Sequence, residues 1–312
     1  MNIDKNTYYN YLAIKNNYFL PIKKFLNYDE IFEICKNYRY NDQYFPIPMF
    51  LSANNSNLKL INSGKIKIFF NNNYVDHLKI RSISGFNKNE IINLLFKNKK
   101  NHPYKDFILN SGNYLIETEN ISLNKNYIKK KNNLIGFATR NIPHLGHEKI
   151  ILKFVRKKNV LINIMEDASN NKKINSKITF ESYKKFIKQN NLKKKILLKR
   201  ISVPSFLLGP RQAALHAIIA RNLSCNSFII GRDHSGYKNF YNEFDSYNYC
   251  KKNEKKLDIK IVPSGSPQFC VTCNKVVFRN ECKCKKNQHD ISSTLIRSLK
   301  KKKLKEKITN FY

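Results

Sequence analysis

The sequence has 312 residues, enough for two domains, and its 41% of hydrophobic residues suffices for a sizeable core, which excludes a disordered or fibrous chain. Its 58 Lys and Arg outnumber 22 Asp and Glu, giving a formal net charge of +36. Lys is scattered along the whole chain with Asn and Ile, whose codons are also A/T-rich, so we expect a solvated Lys surface and no nucleic-acid partner. No apolar run approaches the ~20 residues of a membrane span and no apolar leader opens the chain, so we expect a cytoplasmic protein without membrane association.

Residues 1–132 show short strand-like segments and a few helices. Alternation of apolar and polar residues predicts strands at residues 65–70 and 78–83. Two prolines in residues 45–51 exclude a helix interior and indicate an extended segment. A helix is predicted over residues 87–97.

Beyond a polar stretch at residues 124–133, which we interpret as a domain boundary, strands and helices alternate as in a parallel α/β sheet. The predicted strands are residues 134–138, 160–165, 195–201, 227–230 and 259–262. The predicted helices are residues 147–157, 179–189 and 210–222. The sequence thus divides into a first domain at residues 1–132, a second at residues 133–265 and a C-terminal segment at residues 266–312, in which residues 300–307 form a charged tail.

The first chemical motif is a His-x-Gly-His sequence within residues 136–148, which follows a predicted strand and opens a helix. His144 and His147 are thereby placed at a helix N-terminus, where backbone N–H groups favour an anion and where open α/β sheets bind ligands. Gly146 would let a nucleotide approach the backbone closely. The pattern predicts a phosphate site in preference to two ordinary histidines on a polar helix.

A second motif, residues 209–217, starts a helix with Arg211 in its first turn. A cation is unfavourable there unless an anion lies beside it, so the pattern indicates an anion contact for Arg211. His216, on the same helix, is interpreted as an ordinary helix-face residue.

A third motif, residues 231–236, follows the strand predicted at residues 227–230. Its carboxylate, Asp233, could hold Arg232 or His234 in position, as carboxylates do around ligand sites. The alternative is a polar turn with a salt bridge.

A fourth motif, residues 291–297, carries hydroxyl groups at a helix N-terminus, with Arg297 one turn later. This arrangement suits a triphosphate, and it equally suits a serine N-cap on a C-terminal helix.

Four of the seven cysteines crowd together as Cys270, Cys273, Cys282 and Cys284, with His289 shortly after. Thiols stay reduced in the cytosol, and the spacing of the first pair is that of a zinc knuckle. The sequence therefore predicts a structural Zn²⁺ held by the first three cysteines and by either Cys284 or His289.

Together these motifs resemble those of ATP sulfurylase (sulfate adenylyltransferase) of the single-chain bacterial and archaeal type. That family carries Gln-Thr-Arg-Asn-x-Pro-His-x-x-His-Glu, Gly-Pro-Arg-Glu-Ala, Gly-Arg-Asp-His-Ala-Gly and Ile-Ser-Gly-Thr. This sequence has similar segments, in the same order, at residues 138–148, 209–213, 231–236 and 291–294. The resemblance implies an α/β protein with a β-rich PUA-like N-terminal domain, a Rossmann-like nucleotidyltransferase domain with a parallel sheet, and a C-terminal zinc-binding segment.

The implied reaction transfers AMP from ATP to sulfate, giving adenosine 5′-phosphosulfate and pyrophosphate, or runs in reverse. By resemblance, Arg140 and Asn141 bind sulfate. The implied catalytic residues are Thr139, Arg140, Asn141, His144, His147 and Arg232. The implied ATP-binding residues are His144, Gly146, His147, Gly209, Arg211, Gly231, Arg232, Asp233, His234, Ser292 and Thr294. Mg²⁺ would accompany ATP, and we expect a homodimer or a larger homo-oligomer.

Three departures from the family pattern bear on the acceptor. Ala138 stands where the family has Gln, Ser293 replaces a Gly, and residues 166–173 lack the family's phosphate-side loop. Two other functions therefore stay open: a nucleotidyltransferase of the same fold with a different anionic acceptor, and a non-catalytic, basic RNA-binding relative. Retention of Arg140, His144, His147 and Arg232 argues against the non-catalytic relative.

Overall fold

The computed structural model describes residues 1–96, 101–124, 133–166, 175–238, 240–279, 281–284 and 288–291. The first half contributes the helices α1 Lys5–Lys15, α2 Tyr28–Asn37, α3 Asn55–Leu58, α4 Lys88–Phe96 and α5 Pro103–Leu109. It also contributes the strands β1 Arg39–Tyr40, β2 Gln43–Tyr44, β3 Ser52–Ala53, β4 Lys65–Phe70, β5 Asn73–Gly85 and β6 Tyr114–Thr118.

The N-terminal part combines antiparallel strands with helices. Its main sheet has the order β3-β6-β5-β4, and β1 pairs separately with β2. The strands predicted at residues 65–70 and 78–83 are confirmed as β4 and as part of β5, and residues 45–51 are buried and lie outside helices and strands. The sequence predicts neither α1 nor α2, so the expected β-rich domain is instead a mixture of helices and strands. The periodicity of α1 is hidden because this helix buries the polar Thr7 and Asn10.

The second half forms a parallel sheet flanked by helices. Its strands are β7 Leu134–Thr139, β8 Asn159–Glu166, β9 Ile196–Ser202, β10 Ser227–Ile230 and β11 Lys260–Pro263. Its helices are α6 Leu145–Val155, α7 Ser176–Gln189, α8 Pro210–Asn222, α9 Asp245–Lys252 and α10 Glu254–Leu257. The order β11-β10-β7-β8-β9 is parallel throughout, which confirms the predicted α/β sheet. The order reverses between β7 and β10, and a doubly wound sheet opens a crevice at the carboxyl ends of such strands.

Helix α6 begins earlier than its apolar periodicity predicts. The helix expected over residues 147–157 starts at Leu145 because His144 is its N-cap, and it ends at Val155. The Nδ1 of His144 accepts a hydrogen bond from the backbone N–H of His147 at 3.4 Å. An imidazole thus fills the capping role that Ser, Asp or Asn usually has. The other predicted helices correspond to α4, α7 and α8.

Helix α8 joins the two halves of the protein. All of its residues from Arg211 to Ala220 are buried, because the helix lies between the sheet and the N-terminal part. One apolar cluster runs from the N-terminal part through α8 to one face of the sheet, and a second lies between the other face and helices α6 and α7. A helix covered on all sides has no polar face, so its pattern does not reveal what it contacts.

A small antiparallel sheet of β12 Pro267–Cys270, β13 Lys275–Phe278 and β14 Gln288–Asp290 follows, in the order β13-β12-β14. It packs on α6, where Lys149 pairs with Glu281 at 3.0 Å and the Lys153 ammonium lies 4.7 Å from the centre of the Phe278 ring. Most of the predicted linker and all of the predicted tail lie outside the described residues. No described helix is long and apolar enough to cross a membrane.

Candidate active site

Two loops meet where the strand order reverses. One loop follows β7 and leads to His144 at the start of α6, and the other, residues 231–236, follows β10. Because β7 and β10 are neighbours in the sheet, the first and third motifs lie at the same edge. Open α/β sheets bind their ligands at this place. Ser292 and Thr294 of the fourth motif lie outside the described residues.

The two histidines of the first motif stack on one another. Their ring centroids are 3.9 Å apart, with planes inclined by 24°. His144 is buried, whereas His147 is half-buried. Gly146 permits this stack, because a Cβ at its position would lie 3.0 Å from two atoms of the His144 ring. Packing therefore accounts for this glycine independently of the nucleotide contact predicted for it.

The surroundings of His147 keep its imidazole neutral. Burial lowers its pKa to about 4, although a hydrogen bond with the backbone of Ile142 favours the protonated form. The hydroxyl of Tyr183 lies 3.5 Å from Nδ1. Tyr183 is fully buried on α7 and also forms a side-chain hydrogen bond with Thr139. The sequence gives no signal for this tyrosine, because it occupies the apolar face of an ordinary amphipathic helix.

The residues after β7 form a tight turn. The Thr139 hydroxyl accepts a hydrogen bond from the backbone N–H of Asn141 at 3.1 Å. The Arg140 guanidinium donates to the Ser205 hydroxyl at 3.1 Å. Burial lowers the pKa of His234 to about 4, and the positive charge of Arg140 adds to this effect. Arg140 therefore lies close to the loop that follows β10.

Within that loop, Arg232 is held by two carboxylates. Its guanidinium lies 3.0 Å from Glu243 Oε1 and 3.1 Å from Asp290 Oδ1. Among the described residues, Asp233 forms no ion pair with Arg232, although the sequence suggests one. Burial raises the pKa of the Asp233 carboxyl, and the positive charge of Arg140 opposes this rise. The salt bridges tie Arg232 to β14 and neutralise part of its charge.

The second motif faces the N-terminal part of the protein. The buried guanidinium of Arg211 donates to the backbone oxygens of Pro46 at 2.9 Å and Cys35 at 2.7 Å, and it lies 3.9 Å from the centre of the Tyr38 ring. These carbonyl oxygens supply the negative charge that a cation at a helix N-terminus requires. Arg211 thus joins the two halves of the protein, and its contact with an anion stays a prediction.

The same motif also supports the loop after β10. Gly209 has a φ of +47°, and its N–H donates to the Ser235 carbonyl at 3.0 Å. A Cβ on Gly209 would come within 2.5 Å of the Tyr241 ring, so no larger residue fits there. His216 Nδ1 lies 3.0 Å from His234 Nε2. His216, which the sequence leaves as an ordinary helix residue, therefore contacts one of the residues predicted to bind ATP.

The four cysteines of the C-terminal segment come together. Their sulfur atoms all lie within 4.8 Å of one another, and His289 is not part of the group. The Sγ–Sγ distances are 3.6 Å for Cys270–Cys282, 3.5 Å for Cys273–Cys282 and 3.9 Å for Cys273–Cys284. The backbone N–H of Cys284 lowers the pKa of the Cys282 thiol to about 7, which favours a thiolate. The cluster can hold a metal ion through four sulfur atoms.

Comparison with known families agrees with this arrangement. A family model described as ATP-sulfurylase matches residues 121–306, more than half of the chain. The chain belongs to the ATP sulfurylase family. As a member of that family it is a nucleotidyltransferase. A second model, described as a PUA-like domain, matches residues 1–119, so this family member has a PUA-like N-terminal part.

Individual members of the ATP sulfurylase family match most of the chain. The sulfate adenylyltransferase of Carboxydothermus hydrogenoformans is 24% identical over 96% of this chain and 85% of its own length. That of Pyrococcus abyssi is 24% identical over 92% of this chain and 80% of its own length. Among solved structures, the hexameric APS kinase from Thiobacillus denitrificans superposes with a TM-score of 0.67 at 11% identity. This chain covers 57% of that chain, and the likeness shows the fold alone.

The position at which the ATP sulfurylase family has Gln is Ala138, near the end of β7. In the sheet it pairs in register with Asn163 of β8. The Asn163 side chain is fully buried, and neither atom of its amide has a hydrogen-bond partner among the described residues. A buried amide costs free energy unless water or a ligand binds it. Asn163 therefore provides an amide on the strand next to Ala138, the position at which the family has the amide of Gln.

Proposed function

We propose that this family member transfers AMP from ATP to sulfate, giving adenosine 5′-phosphosulfate and pyrophosphate. The proposal rests on one observation: the stacked pair His144 and His147 lies at the same sheet edge as Arg140 and His234, where the strand order reverses. Backbone N–H groups at a helix N-terminus suit a polyphosphate, and a guanidinium suits a tetrahedral dianion. Two anions can thus be bound close to one another.

The proposed chemistry is a direct displacement. A sulfate oxygen forms a bond to the α-phosphorus of ATP while the bond to pyrophosphate breaks on the opposite side. Sulfate is already a dianion, so no general base has to remove a proton. The main obstacle is the repulsion between sulfate and the polyphosphate. Catalysis must therefore come from positioning and from neutralising charge.

The residues at the sheet edge would divide these tasks. Arg140 would bind sulfate through its planar fork of N–H groups, with Asn141 beside it. His144 and His147 would bind the phosphates and stabilise negative charge on the departing pyrophosphate. Arg232 shares its charge with two carboxylates, so it would contribute less than an unpaired guanidinium.

Mg²⁺ would arrive with ATP and not occupy a protein site of its own. Within the described ranges, the cysteine cluster is the one group of three or more His, Cys, Asp or Glu close enough to hold a metal ion. The described residues of the sheet edge therefore do not fit a resident Mg²⁺. Bound to the phosphates, the ion would reduce the negative charge that sulfate has to approach.

We further propose that the cysteine cluster holds a structural Zn²⁺. Four thiolates at a Zn–S distance of about 2.3 Å lie about 3.8 Å apart in a tetrahedron. Three of the separations are 3.5, 3.6 and 3.9 Å, and all the sulfur atoms lie within 4.8 Å of one another. The backbone N–H groups of Cys273 and Cys284 each donate to a cluster sulfur at 3.4 Å, which stabilises thiolates. Four protein ligands leave no position for a reacting water, so the ion would support the fold.

Purified protein should contain about one zinc ion per chain, measured by metal analysis without chelators. Cys284→Ser should weaken zinc binding, whereas His289→Gln should leave it unchanged, because only Cys284 belongs to the cluster. Chelation should increase proteolysis of the β12–β14 segment before activity is lost. Protein that lacks zinc, or that loses it only in the His289 variant, would contradict the proposal.

The reaction itself is tested by measuring pyrophosphate release from ATP in the presence and absence of sulfate. The proposed function requires release that depends on sulfate and is accompanied by adenosine 5′-phosphosulfate. Release that depends on a different anion would favour the alternative acceptor, a reading that the Ala138 departure keeps open. No release under any condition, with binding to RNA instead, would favour the non-catalytic relative.

Two expectations about organisation also stay predictions. The division into domains at residues 124–133 could be tested by limited proteolysis there. A homodimer or larger homo-oligomer would appear in analytical ultracentrifugation as a mass of at least twice 36.8 kDa.

A further inference from the structure

We propose that Gln212 and His216 are positioning residues that fix the tautomer of His234, so that Nδ1 of His234 carries the proton and can donate a hydrogen bond. Gln212 and His216 lie one turn apart on α8, and both are buried. The tautomer follows from a chain of hydrogen bonds that begins at the backbone. That the recipient is an oxygen of ATP rests on the proposed function.

The first step is the orientation of the Gln212 amide. The backbone N–H of Leu207 donates to Gln212 Oε1 at 2.6 Å, and Gln212 Nε2 lies 3.4 Å from the carbonyl oxygen of Pro204. Turning the amide over would place two donors against each other at Leu207 and two acceptors at Pro204. The oxygen is therefore fixed towards Leu207 and the NH₂ group towards His216.

The second step passes this direction to the imidazoles. Gln212 Nε2 can only donate, and it lies 3.4 Å from His216 Nε2, so that ring nitrogen must accept. A neutral His216 then has its proton on Nδ1. Nδ1 lies 3.0 Å from His234 Nε2, which must accept in turn. The proton of a neutral His234 is left on Nδ1.

This order of protons holds only if both imidazoles are neutral, because a charged ring donates from both nitrogens. Burial lowers the pKa of His234 to about 4, with a further contribution from the charge of Arg140. Burial also lowers the pKa of His216 well below its usual value, and His234 and Arg140 act in the same direction. Both rings are therefore neutral near pH 7, and each holds a single proton.

The consequence concerns the side of His234 that His216 does not contact. A ring with its proton on Nδ1 presents a donor, which suits a phosphate or ribose oxygen. A ring with the opposite tautomer would present a lone pair, which repels such an oxygen. The placement of Gln212 on α8 thus decides whether His234 attracts or repels a nucleotide. Gln212 acts only through His216, because none of the hydrogen bonds described for its side chain reaches the loops after β7 and β10.

The tautomers can be measured directly by ¹⁵N NMR of histidine-labelled protein near neutral pH. His216→Phe and His234→Gln identify the two sets of signals. We expect both rings to carry the proton on Nδ1 and a bare Nε2. A proton on Nε2 of either ring would overturn the proposal.

Gln212→Glu tests the origin of this order with a change of nearly the same shape. A carboxylate can only accept, so His216 Nε2 should gain a proton, either by a change of tautomer or by full protonation. An Nε2 that stays bare in this variant would overturn the role of Gln212. Gln189→Glu, the same change at the exposed end of α7, should leave all histidine signals unchanged.

The effect on catalysis is read from His216→Phe, which keeps a ring of similar size but removes the donor to His234. Signals of His234 should then show a mixture of tautomers, and kcat/KM for ATP should fall about 10-fold, the effect of one misdirected hydrogen bond. Unchanged His234 signals and unchanged kcat/KM would overturn the positioning role. If the protein released no pyrophosphate at all, the proposed function would fail, and the NMR result would still decide the tautomer.

Discussion

Replacing His147 with alanine should lower kcat about 100- to 1000-fold, the typical cost of one preorganised donor at a developing negative charge. The affinity for ATP should stay within about a few-fold, because the bond strengthens only as charge grows on the departing pyrophosphate. The imidazole stands at the start of α6 and has a pKa of about 4, so it acts as a neutral donor. A phosphate oxygen would take the place of the Ile142 backbone as its acceptor. Steady-state kinetics with ATP binding measured separately would check both numbers.

Glu148→Gln is the control for this variant. Glu148 is the next residue of the first turn, where a carboxylate interacts favourably with the helix dipole, and we expect it not to act as a base. Its glutamine variant has nearly the same shape and should keep most of the activity. A His147→Ala enzyme with weaker ATP binding and an unchanged kcat would show that His147 is only a ground-state contact.

Replacing Arg140 with lysine should lower kcat/KM for sulfate about 10- to 100-fold, the effect of losing one charge-assisted hydrogen bond. Lysine keeps the charge but cannot donate two parallel bonds to one dianion. The structure holds the guanidinium through the Ser205 hydroxyl at 3.1 Å. Sulfate-dependent initial rates at saturating ATP would measure the loss.

Ser205→Ala provides the matched control, because it removes the positioning bond and leaves the guanidinium in place. We expect a loss of only about a few-fold, close to that of one neutral hydrogen bond. An Arg140→Lys enzyme with unchanged sulfate kinetics would remove Arg140 from the acceptor site. A Ser205→Ala loss as large as that of Arg140→Lys would mean that orientation, and not the fork, carries the interaction.

The sequence alone determined the features that depend on short stretches of chain. Alternation of apolar runs and helical periods predicted the parallel sheet, and the short spacing within the His-x-Gly-His motif placed His144 and His147 at the start of one helix. The spacing of Cys270 and Cys273 predicted a cluster of cysteines. These features are predictable because each one depends on the periodicity or the spacing of residues within a short stretch of chain.

Only the tertiary structure decided the features that join distant parts of the chain. Arg211 carries the local signature of an anion site, yet its partners are carbonyl oxygens more than 160 residues away, at Pro46 and Cys35. The hydrogen bond between His216 and His234 links α8, which precedes β10 in the chain, to the loop that follows β10. No pattern within either segment indicates this bond. A sequence shows which groups are available, but the packing of α8 between two halves of the protein selects the partners, because a buried polar group loses its contacts with water and is stabilised by the groups that lie beside it.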